Sequence, residues 1–282
     1  MSLNSVNTNV GAMIALESLN RTNTQLAAVQ KQISTGYRVA DATDDGAAYS
    51  VAQRVRSDVG ALTSANEQLG NVKGLLTTTV SGLNNISNTL TTMREKLVKL
   101  ADSSTTNDER TQYQDQYKSL LANVKTFIQD TKYQGNTLIA NVGGSAGFAH
   151  VSVVRNEVGA TYGISTFSGS AFFGSISFTG TKLGVAASIA AAITNGGTFM
   201  KMVNKIGGAL NTYGAPSNYV DNQVAYNKDK MDSLNSGLGS MIDADLAKES
   251  AQMQALQIRQ QLGTQSLSIA NQAPQSLLSL FK

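Results

Sequence analysis

Apolar residues in this chain recur at alternating three- and four-residue spacings over long stretches, the pattern of helices that pack side by side along a seam. The first stretch puts Ala12, Ala15, Leu19, Thr22, Leu26, Val29 and Ile33 on one face. It stops at Ser34-Thr35-Gly36, where Gly36 suits a left-handed C-terminal cap. The second stretch is longer. Stepping from Val55 gives Asp58, Leu62, Ala65, Leu69, Val72, Leu76, Thr79, Leu83, Ile86, Leu90, Met93, Leu97 and Leu100, with only Asp58 and Thr79 interrupting the apolar run. The spacing predicts a helix from about Asp45 to Asp102, a rod roughly 85 Å long at 1.5 Å per residue. Gly60, Gly70, Gly74 and Gly82 lie inside it. Each costs a helix up to about 1 kcal/mol, so packing must compensate.

A polar turn from Ser103 to Asn107 leads to a third amphipathic segment with a predicted seam of Tyr113, Tyr117, Leu120, Val124 and Phe127. Lys132-Tyr133-Gln134-Gly135-Asn136 reads as a turn entering a short strand, Thr137-Leu138-Ile139. Between Asn141 and Gly197 glycine becomes dense, and the patches Phe148 to Val154 and Phe172 to Phe178 read as short strands. The helical spacing then returns with Phe199, Val203, Ile206, Leu210 and Tyr213, a gap at Gly214-Ala215-Pro216-Ser217, and Val220, Val224, Met231, Leu234 and Leu238. A last helix runs from about Ala244 to Ala270, with Ile242, Leu246, Met253, Leu256, Leu262, Leu267 and Ile269 as its apolar residues.

The predicted fold class is mainly α: long coiled-coil-like helical rods formed by both chain ends, with a small β-containing inserted domain. Five parts follow: an N-terminal assembly helix (1–43), two halves of a helical rod domain (44–140 and 198–240), the small insert (141–197) and a C-terminal assembly helix (241–282). A chain that leaves as helix and returns as helix brings both its termini to one end.

Composition narrows the function classes. Charged residues make up 15% and aromatics 6%, and the net charge of +3 is scattered. Nucleic-acid binding needs Lys and Arg gathered on one face, and no such cluster occurs. There is no cysteine, hence no disulfide or thiolate chemistry. The first residues lack the basic and apolar regions of a Sec-type signal peptide. The most apolar stretch, Leu183 to Ile193, is too short to span a bilayer.

Candidate chemistry is sparse. Asp41-Ala42-Thr43-Asp44-Asp45-Gly46 opens like an EF-hand loop, but Ala52 stands where a bidentate Glu is needed. Asp44 or Asp45 as the N-cap of the long helix is the better reading. His150 is the only histidine, with no companion ligand for a zinc centre and no nucleophile elbow for a triad. Tyr162, Phe167, Phe172, Phe173 and Phe178 suit the small core of the insert better than a ligand platform. No cofactor, metal or catalytic residue is expected.

The two ends of the chain closely resemble the flagellin family. The run from Asn7 to Leu62 is similar to the family's start: a helix ending in Ser34-Thr35-Gly36-Tyr37-Arg38, an Ala/Asp-rich link, then a long helix. The run from Ile242 to Lys282 is similar to its ending, with Asp243-Ala244-Asp245, Gln260-Gln261, Gly263-Thr264 and Ala270-Asn271-Gln272-Ala273-Pro274-Gln275 at the expected offsets. Thr131-Lys132-Tyr133-Gln134-Gly135 also resembles the turn that closes the family's N-terminal helical part.

The resemblance implies a filament subunit exported through the flagellar type III pathway with its chaperone, meeting hook-associated proteins at the filament base, and extracellular in its assembled state. It implies a helical homopolymer in which the chain's chief partner is itself, with no nucleic acid and no membrane insertion. The self-assembly residues expected from it are Leu19, Leu26, Val29 and Ile33 in the first helix and Ile242, Leu246, Met253, Leu256, Leu262, Leu267, Leu277 and Leu280 in the last. The patch that a vertebrate Toll-like receptor reads in strongly recognised members is altered here to Thr91-Thr92-Met93-Arg94-Glu95-Lys96, which implies weak activation. Two other readings share some of these features: a hook–filament junction protein, and a surface protein that binds a glycan through the middle segment.

Isolated helices with narrow apolar stripes bury too little to offset their ordering entropy. The terminal helices are therefore expected to be loose alone and to order when neighbouring copies supply the missing faces. Head-to-tail contacts that do not close generate an open helical filament.

Overall fold

A computed structural model describes residues 8–139, 150–178 and 181–279. Ten elements follow in order: helices α1 (Val10–Thr35), α2 (Gly46–Ala101) and α3 (Asn107–Asp130); strands β1 (His150–Val154) and β2 (Thr161–Ser165); helices α4 (Gly169–Ile176), α5 (Thr181–Gly184), α6 (Ala186–Ile193), α7 (Thr198–Ile242) and α8 (Leu246–Ser279). The chain forms two compact units. One holds residues 1–57 and 232–282, the other residues 58–231, so α2 and α7 each contribute to both.

The second unit is built on the long seam of α2. From Leu62 to Leu100, every position of the three-four pattern is buried. Thr79 is fully buried too, and its hydroxyl donates to the Leu75 carbonyl at 2.7 Å, so the one polar member of the seam is satisfied within the helix. Arg110 of α3 donates to the carbonyls of Leu100 and Asp102 at 2.8 and 2.9 Å, covering acceptors that the end of α2 leaves open. α3 itself begins with a reciprocal capping box between Thr106 and Glu109.

On α3 the buried stripe is Tyr117, Leu121, Val124 and Ile128, with Tyr113, Leu120 and Phe127 half-buried at its edge. The seam is thus rotated from the predicted one by about one residue. Tyr117 decides the rotation: its hydroxyl donates to the Ile176 carbonyl and its ring stacks on Phe178. The turn after α3 is tight, with Gln134 and Gly135 both at positive φ (50° and 81°) and Tyr133 bridged to Asn136. It lies so close to α2 that a Cβ on Gly74 would come within 2.8 Å of the Tyr133 ring and hydroxyl, and one on Gly82 would come 2.1 Å from Thr131 Oγ1.

The insert differs from its prediction in two respects. Residues 169–176 form a helix and not a strand: Ser168 caps it, and Phe172 and Ile176, four apart, both point inward. A short apolar run carries no decisive period, so only these tertiary contacts settle it. The insert also has no core of its own among the described residues. Val153 and Ile164 of the antiparallel β1–β2 hairpin, with Phe167, Phe172, Phe178 and Ile189, share one apolar cluster with α2, α3 and α7. A segment this short cannot bury enough surface alone.

α7 runs unbroken through the expected gap, with Pro216 inside the helix. Five of its buried residues, Phe199, Ile206, Tyr213, Val220 and Asn227, fall every seven positions. Asn227 is the polar member. It donates to Asn66 Oδ1 (2.8 Å) and to the Arg155 carbonyl (3.0 Å), and it accepts from Gln223 Nε2 (2.9 Å). Nearby, Lys230 Nζ meets Glu157 Oε1 at 2.6 Å, and Tyr162 stacks on Tyr219 with ring centres 4.1 Å apart. These contacts pin the β-hairpin to α7 with polar and aromatic groups. Burial raises the Tyr213 hydroxyl to about 12, so it stays a neutral donor to the Leu138 carbonyl at 3.3 Å.

Candidate self-assembly interface

The other unit is made by the two ends of the chain. α1 starts at Asn9, whose side chain accepts from the Ala12 amide, and ends at Gly36, left-handed at φ 74° with its N–H bonded to the Gln32 carbonyl. α8 starts at Asp245, whose carboxylate accepts from the Ala247 and Lys248 amides at 3.1 and 3.2 Å. The two helices pack antiparallel: Asn9 faces Ala270, Leu19 faces Gly263, Asn23 bonds Gln260 at 2.8 Å, and Leu26 and Val29 close on Leu256.

Between the helices, the chain folds back on the start of α8. The Arg38 amide donates to the Ile242 carbonyl at 2.7 Å, and the Ala244 amide donates to the Gly36 carbonyl at 3.0 Å. Ile242, Val39 and Ala52 form a second small core there, with Leu238 and Met241 packed on it. Arg56 sits over the Tyr37 ring at 5.7 Å.

Asp45 accepts from the Ala47 and Ala48 amides, both at 3.0 Å, and so caps α2. Asp44 does something else. It accepts from the Ala40 and Asp41 amides and, with Asp41, grips Lys31 Nζ at 2.9 and 2.7 Å. The Lys31 ammonium, helped by Thr43 at Asp41 and by the Ala40 amide at Asp44, holds both carboxyls below the usual carboxylate range. The two carboxylates in turn raise Lys31. Two of the aspartates that superficially resemble a calcium loop, Asp41 and Asp44, are thus bridged by one lysine of the same chain, and the third, Asp45, is taken up in the helix cap.

The expected assembly residues divide into two groups. Leu26, Val29 and Leu256 are buried, with Ile33 and Met253 packed against them, each fully buried side chain contributing about 1.5–3 kcal/mol. Leu19 and Leu267 are half-buried along the same seam. Leu246 and Leu262 are not on it: they are 50% and 56% exposed. The seam of α8 is Glu249, Met253, Leu256, Gln260, Gly263, Leu267 and Ala270, all buried or half-buried at three-four spacing. Two polar residues and a glycine, Glu249, Gln260 and Gly263, occupy it, so the spacing of apolar residues alone does not mark it. Leu280 lies outside the described residues, as does the side chain of Leu277.

A second three-four stripe on α8 runs through Ala251, Ala255, Ile258, Leu262, Gln265 and Ile269, and all six are exposed. Ile258 is 58% and Ile269 68% exposed. The first turns of α1 add Met13 and Ile14, 62% and 63% exposed, and Leu16. Monomeric proteins rarely leave so many large apolar side chains in water without a partner surface in view.

Such an arrangement defines a class: a self-assembling helical subunit whose paired chain ends satisfy one apolar seam internally and leave another open. Comparison with known proteins identifies the family. The model of the bacterial flagellin N-terminal helical region matches residues 6–143, and that of the C-terminal helical region matches residues 193–281. Flagellin FljK of Caulobacter vibrioides is 33% identical over the whole of both chains. FljM of the same organism is 32% identical over the whole of both, and a flagellin of Brucella melitensis is 31% identical over 99% of each. Among solved structures, Bacillus cereus flagellin covers 57% of this chain at a TM-score of 0.50 and 19% identity. A putative flagellar hook-associated protein from Vibrio parahaemolyticus covers 71% at 0.57 and 15% identity, a likeness of fold alone.

The chain belongs to the bacterial flagellin family. It is a structural subunit of the extracellular flagellar filament. Among the described residues, no helix is long and apolar enough to cross a membrane.

Proposed function

We propose that this subunit polymerises through the outer stripe of α8 together with the first turns of α1, and that its role is wholly structural. The observation that carries the reading is the exposed run Ile258, Leu262 and Ile269 beside a seam already closed by α1. Copies stacked head to tail would bury that stripe, and the apolar gain would favour the polymer. Export by the flagellar type III apparatus with a chaperone, and contact with hook-associated proteins at the filament base, follow from membership of the family. The full-length likeness to flagellins favours this reading over a hook–filament junction role. The aromatic residues of the insert also speak against a glycan platform, because Phe172 and Phe178 are buried in the shared core and Tyr162 is stacked on Tyr219.

The test is elongation on seeds of sheared filament, followed by electron microscopy. The wild-type chain should extend into long filaments. A triple variant, Ile258→Ser, Leu262→Ser and Ile269→Ser, should keep its helical circular dichroism and fail to elongate. Normal elongation by the triple variant would sink the proposal.

A further inference from the structure

The sequence pairs asparagine with a following glycine once, at Asn195-Gly196. Asparagine is a thermally labile residue, because the main-chain nitrogen of the next residue can attack its side-chain amide carbon. A side chain on that next residue crowds the approach, and glycine has none. Asn195 lies in the turn between α6 and α7, exposed together with Gly196, and its amide has no hydrogen-bond partner among the described residues. The Thr194 carbonyl accepts from the Gly196 and Gly197 amides, both at 2.9 Å. Release of the Gly196 N–H leaves that carbonyl still paired, so the turn resists the reaction only weakly.

We propose that Asn195 is a site of spontaneous covalent modification in the folded subunit. The Gly196 nitrogen gives up its proton and bonds to Cγ of Asn195, the bond from Cγ to the side-chain nitrogen breaks, and ammonia leaves. The cyclic imide so formed, a succinimide, takes up one water. Breaking its bond from nitrogen to Cγ gives aspartate. Breaking the bond to the main-chain carbonyl gives isoaspartate, in which the chain runs through Cγ. Water is the only co-reactant.

The two glycines of the turn differ in what the fold asks of them. Gly197 is required, since a Cβ there would come 2.2 Å from the Ala192 carbonyl oxygen. Gly196 is not: its φ is not positive, and a Cβ would meet nothing within 4 Å. The residue that makes Asn195 reactive is thus one the turn can do without. The surroundings also favour the anion that forms. Between Val158 and Val220 the chain has no Asp or Glu, and its only charged residues there are Lys182, Lys201 and Lys205. Lys182 lines the same cavity as Gly196 and Gly197. α7 begins directly after them with no acidic residue in its first turn, so the new carboxylate is the first to offset the positive end of its dipole. Each conversion lowers the formal net charge of +3 by one. On an extracellular filament a converted subunit is beyond the reach of cytoplasmic repair, and the charge accumulates with subunit age. Which stripe of α8 assembles has no bearing on this chemistry.

The test incubates the full-length chain at mildly alkaline pH, with and without guanidinium chloride. The tryptic peptide between Lys182 and Lys201 is then resolved into amide, aspartate and isoaspartate by mass spectrometry and an isoaspartate-specific methyltransferase. In the folded chain, conversion at Asn195 should run within about tenfold of its rate in denaturant, a barrier difference of at most about 1.4 kcal/mol, with isoaspartate among the products. Gly196→Ala, for which the turn has room, should keep the wild-type circular dichroism and convert at least about tenfold more slowly.

An Asn195 that stays intact in the folded chain, or lags the denatured sample by far more than tenfold, would overturn the proposal. So would aspartate formed without isoaspartate, or an equal rate in Gly196→Ala. That last comparison is also made in denaturant, where no fold is needed, so a misfolded variant cannot hide the result.

Discussion

Glycine at position 82 offers the sharpest test of how the second unit is packed. Replacing a glycine inside a helix by alanine normally stabilises it by about 1 kcal/mol, because alanine restricts the unfolded chain. Gly60 and Gly70 are exposed on α2 and a Cβ at either would meet nothing within 4 Å, so Gly60→Ala and Gly70→Ala should each show that gain. Gly82 sits in the same helix, but its Cβ would fall 2.1 Å from Thr131 Oγ1 and 2.7 Å from Cγ2. Thr131 cannot simply swing away. It is buried, and its hydroxyl donates to the Phe127 carbonyl at 2.5 Å, closing the end of α3. Overpacking costs about 1–3 kcal/mol, and losing that hydrogen bond about another 1 kcal/mol. Set against the helix gain, Gly82→Ala should destabilise by about 1–3 kcal/mol, opposite in sign to its neighbours. In a unit of this size 1 kcal/mol moves Tm by about 2–4 °C, so thermal melts of the three variants should separate clearly. Thr131→Ala in the Gly82→Ala background should recover part of the loss by removing both offending atoms. If Gly82→Ala raises Tm as Gly60→Ala does, the close approach of the 131–136 turn to α2 is wrong.

Three further outcomes follow. Leu256→Ala removes a side chain 3% exposed from the small α1–α8 core and should cost about 2–5 kcal/mol; hydrogen exchange should accelerate across α1 and α8 while α3 keeps its protection, and uniform protection would refute it. Asn227→Ala strips partners from Asn66 and the Arg155 carbonyl and should lower urea stability by about 1–3 kcal/mol; an unchanged midpoint would show that the node is not needed. Asp41 and Asp44 have depressed pKa values when folded, so the stability they contribute is full above about pH 4 and lost as pH falls through the lower folded values. Lys31 has the opposite shift, so its share is lost only as pH rises beyond its raised pKa. Carboxyl NMR titration checks this: an Asp41 that titrates near 4, or is unmoved by Lys31→Met, would contradict the fork.

The sequence was most legible where structure is local and long. Every seam position of α1 from Ala12 to Ile33 and of α2 from Leu62 to Leu100 is buried or half-buried, because one repeating stripe has only one face to offer. Legibility failed where two stripes overlap. On α3 the choice between Leu120 and Leu121 depends on what Tyr117 meets, a contact with residues far along the chain. On α8 polar Gln260 and Glu249 hold seam positions, so the apolar letters pointed at Leu246 and Leu262, which are exposed. Asn227 does have a signal in the sequence: it is the fifth member of a strict seven-residue series whose other members are all large and apolar. The helix at 169–176 left no comparable trace, since eight residues hold barely two turns of any period.

The two stripes of α8 imply that this helix has two different tolerance maps. Both repeat at alternating intervals of three and four, and they are offset from each other by two residues. Selection for soluble, protease-resistant protein would see only the inner set, centred on Met253 and Leu256, and would accept serine or glutamine at Ile258, Leu262 and Ile269. With the outer stripe as the proposed assembly surface, selection for swimming would add those three positions. Substitutions at the outer set would then pass every laboratory check on the purified chain and still leave a cell without a working propeller.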